Sequence, residues 1–320
     1  MDTHSISRPT VEDAPDIHEL VAVCDTAAIG VPDATLDDIA DSLVEPGFDL
    51  GKDGWLARDA AGVLDGWAWA HRVGDSDLVE TDVIVRPGAG AGADGLAGGL
   101  WHLVLQRARE LAAESGHDGV TIDIGVYQTD EAKQALAKEH GFQPSTSFQR
   151  MRIDYDGQVE PPAVPDGVTL VTGEPEDVRR EAHQIHQAGF ADHYGFVKVD
   201  FDQWHARRQS QRATDWGQLV VARHEGRPAA LLIGSNQFLA DLNCGYVATL
   251  AVMPEFRGRG LGRFLLRHAF AADAARGREG TILHVDSNNT TPALGLYLSA
   301  GMRSVLAVDV WRRRIDPTAG

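Results

Sequence analysis

The chain is poor in cysteine and has no long apolar run. Only two of its 320 residues are cysteines, Cys24 and Cys244, and such isolated thiols predict neither a disulfide framework nor a cysteine-based zinc site. No stretch of about 18 apolar residues and no basic-then-apolar leader occurs, so neither a membrane span nor a secretory signal is expected. We therefore expect a cytoplasmic protein without a metal centre or a membrane partner.

Positive charge is also scarce. Lysine and arginine total 29 against 47 aspartates and glutamates, and the formal net charge is −18. An acidic chain repels nucleic-acid phosphates, so nucleic acid is not an expected partner. A negative field raises the local concentration of cations and weakly favours a cationic small-molecule amine. Acidity that only maintains solubility is an equally good explanation.

The length predicts two domains, and one order of features occurs twice. Each copy has a turn and helix, apolar strands, a glycine-rich turn before a long helix, and a short helix closed by Gly141 or Gly301. These repeats predict an N-terminal domain at 1–155 and a C-terminal domain at 168–320. The proline-rich segment 156–167 is the expected linker.

The most informative segment joins an apolar strand at 246–252 to an amphipathic helix at 263–276 through a glycine-rich turn. The glycines let the backbone approach a ligand without Cβ atoms, and the helix N-terminus adds partial positive charge. The turn's glycines and arginines are Gly258, Gly260, Gly262, Arg257 and Arg259. This combination predicts a pyrophosphate site.

The spacing of the turn fits neither the dinucleotide fingerprint nor the P-loop. It resembles the Arg/Gln-x-x-Gly-x-Gly/Ala signature of the GCN5-related N-acetyltransferases, the GNAT family, with Arg257, Gly260 and Gly262 at the defined positions. A strand, turn and helix some thirty residues later also resemble this family. Matching residues there are Asn289, Ala293, Leu296, Tyr297 and Gly301, with Met302 where phenylalanine is usual.

The resemblance implies an α+β fold, with two tandem GNAT domains that each hold a mixed, mostly antiparallel twisted sheet flanked by helices. It implies acetyl-CoA as co-substrate and no metal. A backbone N–H near 250–252 would stabilise the oxyanion, and Tyr297 would protonate the departing thiolate. The implied cofactor contacts are Leu250, Val252, Arg257, Gly258, Arg259, Gly260, Leu261, Gly262 and Asn289.

The two copies are not chemically equivalent. After Pro87 the first copy has glycines but no arginine at the signature position, and Asp94 follows. The counterpart of Tyr297 is Ala137, counted back from the helix-closing glycine. We therefore interpret the first copy as degenerate, retained for packing, for shaping the substrate cleft, or for unreactive CoA binding helped by Arg86.

The expected reaction is direct attack of a small-molecule primary amine on the thioester in the C-terminal domain. An ammonium must first lose its proton, so a base, or a water chain that ends in one, is needed. Candidates are Tyr246, at a strand position where related tandem enzymes carry a glutamate, together with Asp241 and His193. The rival interpretation is a non-catalytic acyl-CoA-binding or regulatory protein.

His193 lies in an aromatic segment at 190–204. Its first half, with Asp192, Tyr194 and Phe196, is expected to line the acceptor pocket. Its second half is expected to anchor a helix in the core through Phe201 and Trp204. A histidine in an aromatic stretch is otherwise more often a packed residue than a base.

Overall fold

The computed structural model describes residues 4–89, 93–191, 193–287 and 293–316. The chain forms two compact units. Unit 1 comprises residues 1–147 and 308–320, and unit 2 comprises residues 148–307. In the part of the chain that is described, no helix is long and apolar enough to cross a membrane.

The strands are named in chain order. They are β1 (Ser5–Ser7), β2 (Gly54–Arg58), β3 (Leu64–Arg72), β4 (Leu78–Val85), β5 (Val120–Tyr127), β6 (Gln143–Asp154), β7 (Val168–Thr172), β8 (Thr214–His224), β9 (Arg227–Ser235), β10 (Cys244–Val252), β11 (Gly280–Asp286) and β12 (Arg303–Ile315).

The α-helices follow the same convention. They are α1 (Ala14–Ile29), α2 (Leu36–Ser42), α3 (Ala93–Ser115), α4 (Glu131–Glu139), α5 (Glu176–Gly189), α6 (Phe201–Ser210), α7 (Leu239–Leu242), α8 (Leu261–Ala275) and α9 (Ala293–Ser299).

The sheet of unit 1 has the order β1-β2-β3-β4-β5-β12. The β4–β5 pair is parallel, and the other pairs are antiparallel. Helix α3 covers one face of this sheet, where Leu96, Leu100 and Trp101 are fully buried in the main core of the unit. Helix α1 packs Ile17 and Leu20 into a second core.

The sheet of unit 2 has the order β6-β11-β10-β9-β8-β7, to which β6 contributes residues 148–154. Its β10–β11 pair is parallel, and the other pairs are antiparallel. Helix α8 buries Leu265 and Leu266 in one core, and α5 and α6 bury Ile185 and Trp204 in another. The predicted α+β class is confirmed, because each unit has a mixed, mostly antiparallel sheet flanked by helices.

Strands β6 and β12 are each divided between the two compact units. Residues 148–154 pair with β11 in unit 2, and residues 308–315 of β12 pair with β5 in unit 1. The boundaries 1–155, 156–167 and 168–320 describe the repeated sequence and stay a prediction.

Candidate active site

The site begins where β10 and β11 separate. Their parallel pairing runs from Cys244–Gly280 to Val247–Leu283. The register of β10 against β9 shifts between Val247 and Thr249, which marks a β-bulge. Beyond the bulge a cavity lies between residues 248–252 and 284–286. Backbone groups of β10 therefore face a space that a ligand can enter.

This cavity, the donor cavity, has a volume of about 760 Å³. Such a volume suits a drug-sized or cofactor-sized ligand. Arg259 lies over the Phe256 ring, 5.4 Å from its centroid, and Asn289 falls outside the described residues. The predicted cofactor contacts that line the cavity are Leu250, Val252, Arg257, Gly258, Gly260, Leu261 and Gly262.

The glycine turn is open on its ligand side. Gly258 and Gly260 have φ values of +77° and +79°, in the left-handed region that favours glycine. A Cβ built at either position would meet no atom within 4 Å. Helix α8 begins at Leu261 with Gly260 as N-cap, so its first amides have no partner within the helix. Such amides can donate hydrogen bonds to a pyrophosphate.

Arg257 braces the turn and also brings positive charge to the cavity. Its Nε donates to the carbonyl of Val252 at 3.3 Å, and its Nη2 donates to the carbonyl of Gly189 at 3.2 Å. These bonds join the end of β10 to the end of α5. The exposed side chain keeps its guanidinium at the cavity wall.

Tyr297 lies in α9, 8% exposed, on the wall of the same cavity. Burial raises the pKa of its phenol to about 12, so the group carries its proton at neutral pH. The Tyr297 carbonyl accepts from the Met302 amide at 3.1 Å, and the Ala137 carbonyl accepts from the Phe142 amide at 3.0 Å. The matching helix ends support the equivalence of these positions, with a methyl group in unit 1 and a phenol in unit 2.

The segment between α5 and α6 contributes an aromatic wall. Phe190, His193, Tyr194 and Phe196 line the donor cavity, and the His193 ring lies 4.3 Å from the Phe190 ring. Further along the chain, Trp204 is buried in the core of unit 2. The role of the first half as an acceptor pocket stays a prediction. Asp192 falls outside the described residues.

Tyr246 lines a second, smaller cavity of about 210 Å³, the side cavity, which shares Ala248 with the donor cavity. Its hydroxyl lies 3.0 Å from Nδ1 of His284, and Nε2 of His284 accepts from Nε of Arg150 at 3.0 Å. An arginine donor requires a lone pair on Nε2, so the proton of a neutral His284 is on Nδ1 and is donated to Tyr246.

His284 is a site residue that the sequence reasoning missed. It lines the donor cavity, whereas its neighbours Leu283 and Val285 are buried in the core beside α8. Period-two alternation in this strand was the available signal, since it places His284 on the opposite face. Asp241, the remaining base candidate, is exposed on α7.

Unit 1 has a cavity of similar size, about 760 Å³, with Trp67 and Trp69 in its wall. Arg86, expected to help unreactive CoA binding, donates to the carbonyl of Leu64 at 3.0 Å and pairs with Asp65 at 3.3 Å. The Arg86 guanidinium is therefore already bonded to protein groups of unit 1. Among the described residues of the chain, no group of three or more His, Cys, Asp or Glu side chains could hold a metal ion.

Comparison with known proteins matches this chain to acetyltransferases. The family described as "Acetyltransferase (GNAT) family" matches residues 179–302. A mycothiol acetyltransferase of Thermomonospora curvata is 30% identical over 80% of each chain, and that of Frankia casuarinae is 28% identical over 88% of this chain and 78% of its own.

Solved structures give the same fold. A GCN5-related N-acetyltransferase from Sphaerobacter thermophilus has a TM-score of 0.79 and 24% identity, covering 99% of this chain and 97% of its own. A tandem GNAT protein from the clavulanic acid biosynthesis pathway has a TM-score of 0.71 and 17% identity, covering 97% and 98%. Both likenesses extend over the two units.

Proposed function

Since the chain belongs to the acetyltransferase (GNAT) family and is an acetyl-CoA-dependent N-acetyltransferase, we propose that unit 2 acetylates the primary amine of a small molecule by direct attack. One observation carries this proposal. The donor cavity of unit 2 combines the glycine turn at 258–262, the part of β10 that has separated from β11, and the phenol of Tyr297. These are the parts needed to hold a thioester, stabilise its oxyanion and receive its leaving group.

The donor is held along β10 in this proposal. The amides of the glycine turn and the charge of Arg257 bind the pyrophosphate, and the pantetheine arm follows the separated edge of β10. A backbone N–H at 250–252 donates to the thioester oxygen. Such a donor is most effective when it is already oriented toward the position of the developing negative charge.

The acceptor nitrogen must be neutral when it attacks. We assign removal of its proton to Tyr246 in its phenolate form, which accepts a hydrogen bond from the Nδ1–H of His284, with Arg150 fixing the histidine tautomer. The phenolate takes up the ammonium proton and becomes the neutral phenol. The free amine then forms a C–N bond to the carbonyl carbon, and the electron pair moves to the oxygen. His193, on the donor cavity, is the alternative base.

Collapse of the tetrahedral intermediate breaks the C–S bond and leaves a thiolate. Tyr297 donates a proton, or a strong hydrogen bond, to that sulfur. The phenol remains protonated over the working pH range, because burial raises its pKa to about 12. The products are an N-acetyl amine and CoA.

Unit 1 is assigned no transfer step, because Ala137 occupies the position that corresponds to Tyr297. Its proposed role is structural. The cytoplasmic location, and the lack of nucleic-acid and membrane partners, stay predictions from the composition.

A single-turnover reaction with isotopically labelled acetyl-CoA tests the proposal. The protein is mixed with a panel of primary amines, and both protein and amine are analysed by mass spectrometry. We expect label on an amine, none on the protein, and strongly reduced transfer by Tyr297→Phe. Binding of acetyl-CoA without transfer to any amine would instead support the non-catalytic alternative.

A further inference from the structure

Arg208 is a half-buried arginine in the last turn of α6, on the wall of the side cavity. Its Nη2 donates to the hydroxyl of Thr249 at 3.2 Å, and its guanidinium carbon lies 5.0 Å from the centroid of the Trp204 ring. Its Nε is buried and finds no hydrogen-bond partner among the described residues. Arg208 is therefore held in place but incompletely bonded.

Other arginines with little exposed surface in this chain have carboxylate partners. Arg107 pairs with Asp53 at 2.7 Å, and Arg278 pairs with Asp273 at 2.8 Å. Within the described residues no carboxylate lies within ion-pair distance of Arg208. Removing a charge from water without a counter-ion is costly. Such a cost is typical of a binding residue whose counter-ion arrives with the ligand.

Neighbouring side chains add positive charge around Arg208. Burial, followed by the neighbouring Arg207, lowers the pKa of Arg208 to about 10. The pKa of the nearby His186 falls to about 3, through burial and then through the charge of Arg208. Asp215 also lines the side cavity, but its two oxygens accept from Gly217 and Gln218.

We propose that the acceptor amine also carries a carboxylate, which Arg208 binds in the side cavity. This inference rests on the proposed function and names the substrate class. Tyr246 lines the same cavity, so one small molecule can place its carboxylate at Arg208 and its amine near Tyr246. Thr249 directly precedes Leu250, whose amide belongs to the expected oxyanion site.

A carboxylate fits this arrangement better than a phosphate. A planar guanidinium matches the two oxygens of a carboxylate, and the side cavity offers one guanidinium in a volume of about 210 Å³. The donor cavity, by contrast, has a full turn of amides for phosphate. The acceptor class is therefore small amino carboxylic acids, for which the acidic protein surface provides no attraction.

The test compares matched amines with wild-type protein and acetyl-CoA. The panel contains α-, β- and γ-amino carboxylic acids, each with its carboxamide and its aminophosphonate analogue. Loss of one hydrogen-bonded charge pair predicts a kcat/KM for the best acid roughly 10- to 100-fold above that of its carboxamide. The phosphonate should be a poorer substrate than the acid.

Variants assign the preference to a residue. Arg208→Gln should bring the acid and the carboxamide to equal kcat/KM, and Arg208→Lys should keep part of the preference because it keeps the charge. Arg207→Gln is the matched control, since it removes an adjacent exposed arginine and should leave the preference intact. The Kd for CoA should be the same in all four proteins, which also reports that unit 2 is folded.

Equal use of acid and carboxamide by the wild type would overturn the inference, as would an undiminished preference in Arg208→Gln. Preference for the phosphonate would overturn the choice of a carboxylate. If CoA binds but no amine is acetylated, the proposed function fails. Calorimetry of amino acids with the CoA-loaded protein then tests the anion site on its own. The inference requires that an amino acid binds to the wild type and that its affinity falls at least tenfold in Arg208→Gln.

Discussion

A methyl group added at Gly260 should separate the binding role of the glycine turn from its folding role. Gly260 has a φ of +79°, and its Cβ would meet no atom within 4 Å. Gly88, on the turn after Pro87 in unit 1, has the same φ of +79° and the same free space. Gly88→Ala is therefore a matched control for Gly260→Ala.

The left-handed backbone costs an alanine about 1–2 kcal/mol relative to glycine at either position. We therefore expect similar losses in the free energy of unfolding of the unit that carries each change. Only Gly260→Ala adds a methyl group where the pyrophosphate approaches the amides. Loss of one charge-assisted hydrogen bond, about 1.5–3 kcal/mol, corresponds to a Kd for CoA roughly 10- to 150-fold higher.

Isothermal titration with CoA measures the affinity, and chemical denaturation measures the stability. The expected pattern is a weakened Kd in Gly260→Ala and an unchanged Kd in Gly88→Ala, with comparable destabilisation of the two variants. An unchanged Kd in Gly260→Ala, or an equal loss in Gly88→Ala, would refute the assignment of CoA to the turn of unit 2.

Three further outcomes are expected from the site. Tyr297→Phe should lower kcat by roughly 10²- to 10⁴-fold at unchanged CoA affinity. Because the pKa of Tyr297 is about 12, this group should cause no loss of wild-type kcat as the pH is raised to about 10. A pH–rate profile measures this. Tyr246→Phe should lower kcat/KM for the amine while the Kd for CoA stays constant, whereas His193→Gln should change kcat/KM little; the reverse pattern would make His193 the base. Raising the salt from low to about 0.1 M should lower kcat/KM for a polycationic amine through screening, but hardly change it for an amino acid, so a steep salt dependence for every accepted amine would contradict a zwitterionic acceptor.

Much of unit 2 is readable from its sequence because its signals are local. The apolar stretch at 246–252, the glycines that follow and the helical spacing of 263–276 correspond to β10, the turn and α8. Tyr297 is found by counting from Gly301, since a short helix closed by glycine fixes that distance.

The remaining features depend on partners that lie far away in sequence. Local patterning does not say that residues 308–315 of β12 pair with β5. The roles of His284 and Arg208 are inferred from their hydrogen bonds to Tyr246 and Thr249, respectively. These partners lie about 40 residues away in the chain and come close only after folding. A half-buried arginine with no carboxylate partner among the described residues is recognised only in three dimensions.

The position of acetyl-CoA in a crystal structure of the complex tests the central claim most directly. The account predicts the pyrophosphate on the amides of 258–262, and the thioester oxygen about 2.7–3.1 Å from a backbone N–H at 250–252. The sulfur should lie within hydrogen-bond distance of the Tyr297 hydroxyl. Acetyl-CoA bound only in unit 1, or a thioester directed away from Tyr297, would contradict acetyl transfer in unit 2.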